Sequence, residues 1–198
     1  MLDELDKELE RRGLRFVRYA DDIVILCETQ SQARESLELV SGWLTAMGLT
    51  IHPEKTRLCW VWSEPFDFLG YTFRSHRLWR TGQRILTAQP SKKACKRLKG
   101  KINTLLYRGN PKPWPELCEQ LNRLLVGWAN YFSFGWTGDA DTAIRWHVAT
   151  RARRFLCRRH KLRPQGAGRF AMAEVYGSAG VLDLQRYRQQ CRDANASS

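Results

Sequence analysis

Apolar residues in the first part of the chain are spaced for a mixture of helices and strands. Leucines recur every three or four positions over residues 2–12, which predicts a helix that ends at a glycine. Apolar, β-branched runs over 14–19 and 23–28 predict the strands of a β-hairpin with two neighbouring aspartates at its tip. A Thr-x-x-Gln capping box then predicts a second helix over residues 29–47.

Shorter apolar runs follow the second helix and are predicted to be strands over 49–51, 57–62 and 66–73. Helix, hairpin, helix and strands in this order predict a unit in which helices pack on a sheet. Residues 74–90 are basic and aromatic without a clear period, and a short strand pair with a connector is expected there.

The pattern becomes helical at Ser91. Apolar positions at helical spacing predict one helix that ends before Gly109, a second that begins near Pro115 and a third that begins near Asp139. Short connectors between these helices predict a small three-helix bundle. Beyond residue 160 the pattern is weak, and only a short helix over 182–191 is expected.

These elements predict an α+β fold class, with antiparallel strands and packing helices first and a helical bundle second. The predicted domains are a first unit over 1–75, a connector over 76–90, the bundle over 91–160 and a poorly defined C-terminal region over 161–198.

Charge is divided unevenly between the two parts of the 198-residue chain, whose net charge is +13. Residues 1–73 carry 8 Lys and Arg against 13 Asp and Glu, whereas residues 74–198 carry 25 against 7. Such a division indicates a second part that binds a polyanion, and nucleic acid is the expected one. A membrane partner is not expected, because no apolar segment approaches the length of a membrane-spanning helix.

The six cysteines show neither CxxC pairs nor the spacing of a disulfide framework. Most lie within apolar runs, so we expect reduced thiols in a cytoplasmic protein rather than zinc ligands or disulfides. The cysteine and histidine spacing that a zinc-dependent nuclease module needs is absent as well, and no DNA-cleaving activity is expected.

Asp21 and Asp22 are the clearest candidates for chemistry. Neighbouring carboxylates repel one another and are costly to bury, so they belong at a hairpin tip that is open to water or binds a cation. Mg²⁺ suits such a tip, since it takes few protein oxygens and leaves room for phosphates. An Asp-Asp turn without an ion is the simpler reading of this dipeptide by itself, because aspartate is a common turn residue.

Four motifs in order resemble the C-terminal half of a bacterial group II intron reverse transcriptase/maturase, and the resemblance covers roughly residues 1–160. They are Tyr19-Ala20-Asp21-Asp22, Pro53-Glu54-Lys55-Thr56, Phe68-Leu69-Gly70-Tyr71 and Gly127-Trp128-Ala129-Asn130-Tyr131-Phe132. The resemblance implies a partial polymerase palm over the first unit, followed by the thumb/maturase region over the helical bundle.

The resemblance also implies roles for individual residues. Asp21 and Asp22 would hold catalytic Mg²⁺ in a two-metal site, and Lys55 would protonate the departing pyrophosphate. The residues expected near the primer end are Tyr19, Ala20, Phe68, Leu69, Gly70 and Tyr71. A solvated turn lysine remains the alternative for Lys55, and packed strand aromatics remain the alternative for Phe68 and Tyr71.

Basic residues crowd two of the predicted helices, with no acid among them in either stretch. They are Lys92, Lys93, Lys96, Arg97, Lys99 and Lys101 in the first, and Arg151, Arg153, Arg154, Arg158, Arg159 and Lys161 at the end of the third. A run of charged residues is usually a solvated helix face, but these cations could also bind the phosphates of RNA. Trp128 and Phe132 fall on the apolar stripe and are expected in the core, whereas Tyr131 lies beside it and could contact RNA.

The expected function is that of a fragment of an RNA-directed DNA polymerase/maturase. Its partners would be group II intron RNA and an RNA/DNA template–primer, with dNTPs in the intact enzyme, and it would assist splicing. Such polymerases use a further aspartate on an earlier strand, so the metal site is expected to be incomplete here and the isolated chain to be inactive. A separate fingers fragment is then a candidate partner. The alternatives are an inactive RNA-binding module and another bacterial retroelement reverse transcriptase.

Overall fold

The computed structural model describes residues 2–162 and 170–196, which fall into two compact units, Met1–Phe68 and Leu69–Ser198. The sequence placed the first boundary at residue 75 and a connector over 76–90. The two compact units divide after Phe68, and the strand pair expected within 74–90 is formed by Tyr71–Arg77 and Arg84–Pro90 in the second unit. No helix within the described residues is long and apolar enough to cross a membrane.

The first unit has the predicted order of helix, hairpin and helix. Its elements are α1 (Leu2–Arg11), β1 (Arg15–Tyr19), β2 (Asp22–Leu26), α2 (Gln30–Ala46) and β3 (Phe66–Phe68). Strands β1 and β2 pair antiparallel, with Arg15 opposite Leu26 at one end and Tyr19 opposite Asp22 at the other.

Glycine and threonine set the ends of the helices that flank the hairpin. Gly13 adopts a φ of +69° and its N–H donates to the carbonyl of Glu10, while the N–H of Leu14 reaches the carbonyl of Leu9 at 3.0 Å. This Schellman arrangement ends α1 and directs the chain into β1. Thr29 caps α2 by accepting the N–H of Gln32 at 3.1 Å, as the capping box predicted.

The core of the first unit lies between the two helices and one face of the hairpin. Leu5 and Leu9 of α1 and Val40 of α2 are buried there. Phe16 and Ile25, which are opposite one another in the ladder, pack against them. The period of two therefore directs alternate strand residues inward, and the other face of β1 and β2 is left exposed.

Two of the predicted strands are wrong. Residues 49–51 and 57–62 are not strands in the structure. The chain is irregular over 49–51 and 57–60, and a turn follows in which the N–H of Ser63 donates to the carbonyl of Trp60 at 2.9 Å. An apolar run becomes a strand only when a neighbouring strand satisfies its backbone groups. Neither segment finds such a partner among the described residues.

The run over 66–73 is interrupted rather than continuous. Leu69 and Gly70 adopt φ values of +48° and +79°, which separate β3 from β4 (Tyr71–Arg77). Two successive positive φ angles are typical of a type I′ turn, and an extended strand cannot continue through them.

The described residues of the second unit form a strand pair and five helices, where a three-helix bundle was predicted. Besides β4 its elements are β5 (Arg84–Pro90), α3 (Lys92–Leu105), α4 (Trp114–Tyr131), α5 (Gly138–Arg159), α6 (Met172–Tyr176) and α7 (Leu184–Ala196). Strands β4 and β5 pair antiparallel from Tyr71 opposite Pro90 to Arg77 opposite Arg84. The helix expected over 182–191 corresponds to α7.

The C-terminal region is part of the helical core. Val175 of α6 and Leu184 of α7 are almost completely buried and join the same cluster as Leu121 of α4 and Ile144 of α5. From the sequence, residues 161–198 were predicted to be poorly defined, because their apolar residues show only weak helical or strand periodicity. Of that region, residues 163–169 and 197–198 lie outside the described part of the chain.

A buried ion pair connects α7 to the rest of the bundle. Asp141 at the start of α5 is only 2% exposed and accepts two hydrogen bonds from the guanidinium of Arg188. The indole N–H of Trp128 donates to the same carboxylate at 3.2 Å, and Arg188 also donates to the carbonyl of Ala129 at 3.1 Å. Every polar group of this cluster therefore has a partner, which a buried charge requires.

The loop between α4 and α5 docks closely on β5. The N–H of Trp136 donates to the carbonyl of Ala88 at 2.7 Å. Gly135 has a φ of +76°, and a Cβ at this position would lie 2.2 Å from the same carbonyl oxygen. Only glycine allows this approach of the two backbones.

Candidate functional site

The tip of the β1–β2 hairpin presents the two neighbouring aspartates to solvent. Tyr19 and Asp22 form the last pair of the ladder, so Ala20 and Asp21 make a two-residue loop. Both carboxylates are exposed, and neither forms a hydrogen bond or ion pair with the described residues. Ala20 has a φ of +55°, a conformation that costs a non-glycine residue about 1–2 kcal/mol.

An arginine network behind the tip holds this loop in place. The guanidinium of Arg18 donates to the carbonyl of Ala20 at 3.2 Å, and it binds the carboxylate of Asp6 on α1 at 2.8 Å. A further bond to Asp3 measures 3.1 Å. The hydrogen bonds from Arg18 lower the pKa of Asp6, and partial desolvation opposes them.

The sequence did not assign this network. No role in the hairpin was predicted for Asp3, Asp6 or Arg18. The signal that could have found it is the period of two, because Arg18 shares the inward face of β1 with Phe16. An inward arginine requires a carboxylate partner, and α1 supplies one.

The exposed carboxylates at the tip have the donor chemistry that Mg²⁺ prefers. Their oxygens are open to solvent and are not already used by a cation of the described chain. Within the described residues, however, no group of three or more His, Cys, Asp or Glu side chains comes together. The residues present fit two ligands of a metal site, Asp21 and Asp22, and supply no third.

Lys55 lies in the turn that follows Pro53 and is exposed. The turn is closed by backbone hydrogen bonds from Lys55 and Thr56 to the carbonyl of His52. No hydrogen bond or ion pair in the described part of the chain connects the Lys55 ammonium to the aspartates. Its proposed role in proton transfer therefore stays a prediction.

The Leu69-Gly70-Tyr71 segment and the end of α4 meet in the second unit, although about 60 residues separate them. The hydroxyl of Tyr131 donates to the carbonyl of Leu69, and the hydroxyl of Tyr71 donates to the carbonyl of Tyr131, both at 2.8 Å. The two tyrosine rings stack with centroids 6.2 Å apart. Phe132 lies beneath Gly70, where a Cβ would come within 3.5 Å of its ring.

This arrangement clarifies the roles of the α4 aromatics. Trp128 and Phe132 are buried, as the apolar stripe predicted. Tyr131 is 57% exposed, yet its hydroxyl is bound to the turn, so only its ring is free to contact another molecule. Burial raises the pKa of Tyr71, which keeps its hydroxyl protonated as a donor.

The basic residues of α3 form one continuous outer face. Lys92 and Lys96 are exposed and lie one turn apart on the side away from the buried Leu98 and Ile102, whereas Lys99 is half-buried. Lys93, Arg97 and Lys101 flank this row and are exposed. None of the six forms an ion pair in the described part of the chain, so their charges are available to an external anion.

The arginines of α5 do not act as one group. Arg153, Arg154 and Arg158 are exposed. Arg159 donates to the carbonyls of Lys112 and Pro111 and thereby supports the α3–α4 loop. Arg151, which is half-buried, donates to the carbonyl of Leu106, so these two arginines also have structural contacts.

A cavity of about 510 Å³ lies between the end of α5 and the α3–α4 loop. Arg108, Arg158 and Arg159 line it together with Asn110 and Phe155, and no carboxylate is among them. The sequence did not assign Arg108 to the basic surface, because it stands alone in a loop. Only the fold brings it beside arginines 50 residues away.

The fold and these sites are those of a nucleic-acid polymerase with a cationic helical unit. Exposed paired carboxylates on a hairpin backed by two helices are what a polymerase palm presents to its substrate, and the second unit carries a cationic face suited to nucleic acid.

Comparison with known families narrows this class. The model of the reverse transcriptase (RNA-dependent DNA polymerase) family matches residues 1–73, and that of the group II intron maturase-specific domain matches residues 95–171. Together the two matches support a fragment of a group II intron reverse transcriptase/maturase.

A curated relative supports the same assignment. It is an uncharacterized 91 kDa protein in the cob intron of Schizosaccharomyces pombe, 28% identical over 143 residues. The match covers 64% of this chain and 18% of the relative, so the chain spans only a small part of the length of that protein.

Proposed function

We propose that this chain provides the catalytic hairpin and the RNA-binding helical unit of a group II intron reverse transcriptase/maturase. In the whole protein these parts would serve RNA-templated DNA synthesis from dNTPs and assist the splicing of the intron RNA. The observation that carries the proposal is the pair of solvent-exposed carboxylates at a braced hairpin tip, in a chain that also matches the maturase-specific domain. That second match favours the intron lineage over other bacterial retroelements.

In this proposal the hairpin residues position the reacting ends. Asp21 and Asp22 would hold Mg²⁺, which supplies charge neutralisation and activation of the primer hydroxyl when it is bound. Tyr19 and Ala20 lie beside them, and the small side chain of Ala20 leaves room for the primer end. Lys55 would donate a proton to the departing pyrophosphate.

The Leu69-Gly70 turn would support the primer strand. Its backbone is fixed from below by the tyrosine hydrogen bonds and by Phe132, so it presents a rigid surface. A strand that must be held in register for in-line attack benefits from such rigidity, because displacement of the reacting atoms is costly.

The outer face of α3 would bind RNA phosphates. Each phosphate neutralised by a cation releases counterions, so affinity falls with salt at a slope of about −0.7 to −0.9 per contact. We expect Lys92→Gln/Lys96→Gln to weaken binding of a structured intron RNA and to flatten its salt slope by about 1–2 units.

The matched control removes two charges from the first unit. Lys7 and Arg34 are also exposed, and Lys7→Gln/Arg34→Gln changes the net charge by the same amount. Filter binding between 50 and 300 mM KCl measures both slopes. If the two variants lose affinity equally, binding depends on net charge alone and the α3 face is not the site.

A second candidate function is an RNA-binding module without catalysis. The observation that favours it is the absence of a third carboxylate beside Asp21 and Asp22 among the described residues. We propose that the isolated chain binds RNA but does not extend a primer. Primer extension on an RNA template with Mg²⁺ and dNTPs tests this proposal. Robust DNA synthesis by the isolated chain that Asp21→Asn abolishes would show that the chain is an active polymerase.

Metal binding can be tested without activity. Mn²⁺ is a paramagnetic probe for oxygen sites, and it should broaden the amide NMR signals of Tyr19 to Asp22 selectively. Asp21→Asn/Asp22→Asn should remove this broadening, whereas Asp3→Asn, on the neighbouring helix, should retain it. Broadening that persists without the two aspartates would exclude them as the ligands.

A further inference from the structure

The tip of the β4–β5 hairpin carries the most exposed large aromatic side chain of the described chain. Trp79 is 85% exposed, and the guanidinium of Arg80 lies 5.0 Å from the centre of its ring. No functional role was predicted for residues 74–90 from the sequence. A single exposed apolar side chain is common on a protein surface, so the exposure of Trp79 gains meaning only from the closed turn and the positive charge around it.

This exposure is not the result of a frayed tip. The N–H of Leu78 donates to the carbonyl of Gln83, and the N–H of Gly82 donates to the carbonyl of Leu78, both at 2.8 Å. Gly82 closes the turn at a φ of +69°, and Arg77 donates to its carbonyl at 3.1 Å. The turn is a closed, hydrogen-bonded loop that holds Trp79 outward.

The charge around the tip is positive without compensation. Arg77 and Arg84 stand directly opposite one another in the ladder, where like charges destabilise a strand pair. No acidic residue occurs between positions 68 and 115, a stretch that holds twelve Lys and Arg. Stability alone would favour an opposite charge at one of these positions, so the pair is better explained by an anionic ligand.

We propose that this tip, defined as Arg77, Trp79, Arg80 and Arg84, binds an unpaired nucleotide of RNA. The base stacks on the indole of Trp79, and the arginines contact the phosphates on either side. Stacking requires a base with an open face, which a single strand offers and the interior of a duplex does not. The inference rests on the proposed RNA binding of the second unit and adds a preference for unpaired segments.

Two RNA probes separate stacking from general charge attraction. One is a blunt RNA hairpin, and the other is the same hairpin with a single-stranded tail of six uridines. Wild-type protein is expected to bind the tailed probe more tightly. Trp79→Ala should weaken binding of the tailed probe by about 5- to 150-fold, the range found for a stacked base, and leave the blunt probe within twofold.

Three variants serve as controls. Trp79→Phe keeps an aromatic face and should retain most of the preference for the tail. Trp60→Ala removes an exposed tryptophan from the acidic first unit and should change neither probe. Arg80→Gln should flatten the salt slope for the tailed probe by about 0.7, whereas Trp79→Ala should leave the slope unchanged.

The result that overturns the proposal is equal affinity of Trp79→Ala and wild-type protein for the tailed probe, or an equal loss on both probes. The α3 variant Lys92→Gln/Lys96→Gln distinguishes this failure from failure of the proposed function, since it should weaken both probes. If Lys92→Gln/Lys96→Gln weakens binding of both probes and Trp79→Ala weakens neither, RNA binds the second unit but not its hairpin tip. Because the Trp79 side chain is 85% exposed, its removal should leave the circular dichroism spectrum unchanged.

Discussion

Replacing Asp141 by asparagine should strongly destabilise the helical unit. The change removes the negative charge opposite Arg188, whose side chain is only 10% exposed, while it preserves the size of the side chain. Breaking a buried ion pair by removing one partner typically costs 3–5 kcal/mol, because the remaining charge is left desolvated. Arg188 keeps its bond to the carbonyl of Ala129, so we expect a cost near the lower limit, about 3 kcal/mol.

Urea denaturation followed by near-ultraviolet circular dichroism measures this cost, since several tryptophans of the second unit report on its packing. The control is Glu119→Gln, which removes the partner of Arg123 in a pair that is more than two-thirds exposed on both sides. An exposed pair of this kind contributes less than about 1 kcal/mol. The control should therefore be close to wild-type stability.

A double variant tests the physical reason for the loss. Asp141→Asn/Arg188→Met removes the isolated charge and should recover part of the stability that Asp141→Asn loses. The reasoning is refuted if Asp141→Asn lies within 1 kcal/mol of wild type, or if the double variant is no more stable than the single one. Either result would mean that water or another group already compensates Arg188.

The stability of the second unit should respond in opposite directions to alanine at two of its glycines. Gly135→Ala places a methyl carbon against a β5 carbonyl at positive φ and should lower the free energy of unfolding by at least ~2 kcal/mol, whereas Gly100→Ala, at an open helical position, should raise it by up to ~1 kcal/mol. Urea denaturation measures both, and similar effects of the two variants would contradict the close packing at Gly135. Arg18 lowers the pKa of Asp6 in the folded state, so the stability that the ionised Asp6 contributes is complete above the unfolded pKa of about 4 and is lost as pH falls through the lower folded pKa. The melting temperature of Asp6→Asn should therefore fall less on acidification than that of wild-type protein. An equal fall would disprove the linkage. Tyr131→Phe should cost ~1 kcal/mol by removing one hydrogen bond to the Leu69 carbonyl, and no measurable change would show that water replaces it.

Sequence reasoning succeeded where a local pattern determines a local structure. The leucine spacing of α1, the glycine at its end and the capping box of α2 depend only on neighbouring residues, and all three are found as predicted. The hairpin was equally clear, because two apolar runs around a pair of acids leave few alternatives. The apolar stripe of α4 correctly placed Trp128 and Phe132 in the core.

Sequence reasoning failed where a structure depends on a distant partner. The runs over 49–51 and 57–62 have strand composition but no strand to pair with among the described residues. The break at Leu69 and Gly70 was missed because the surrounding apolar residues suggest a continuous strand. Helix α6 was not predicted and α7 was expected only as a short helix, since the contacts of α7, such as the ion pair of Arg188 with Asp141, join residues far apart in the sequence.

The candidate site divides in the same way. Its chemical groups, Asp21, Asp22 and the lysines of α3, were visible in the sequence, because residue type and spacing alone identify carboxylate pairs and cationic faces. The contacts that place other groups, such as Tyr131 on the Leu69-Gly70 turn and Arg108 beside Arg158, join residues about 50 to 60 positions apart. Periodicity records which side of an element is apolar, whereas only the folded chain determines which elements those sides meet.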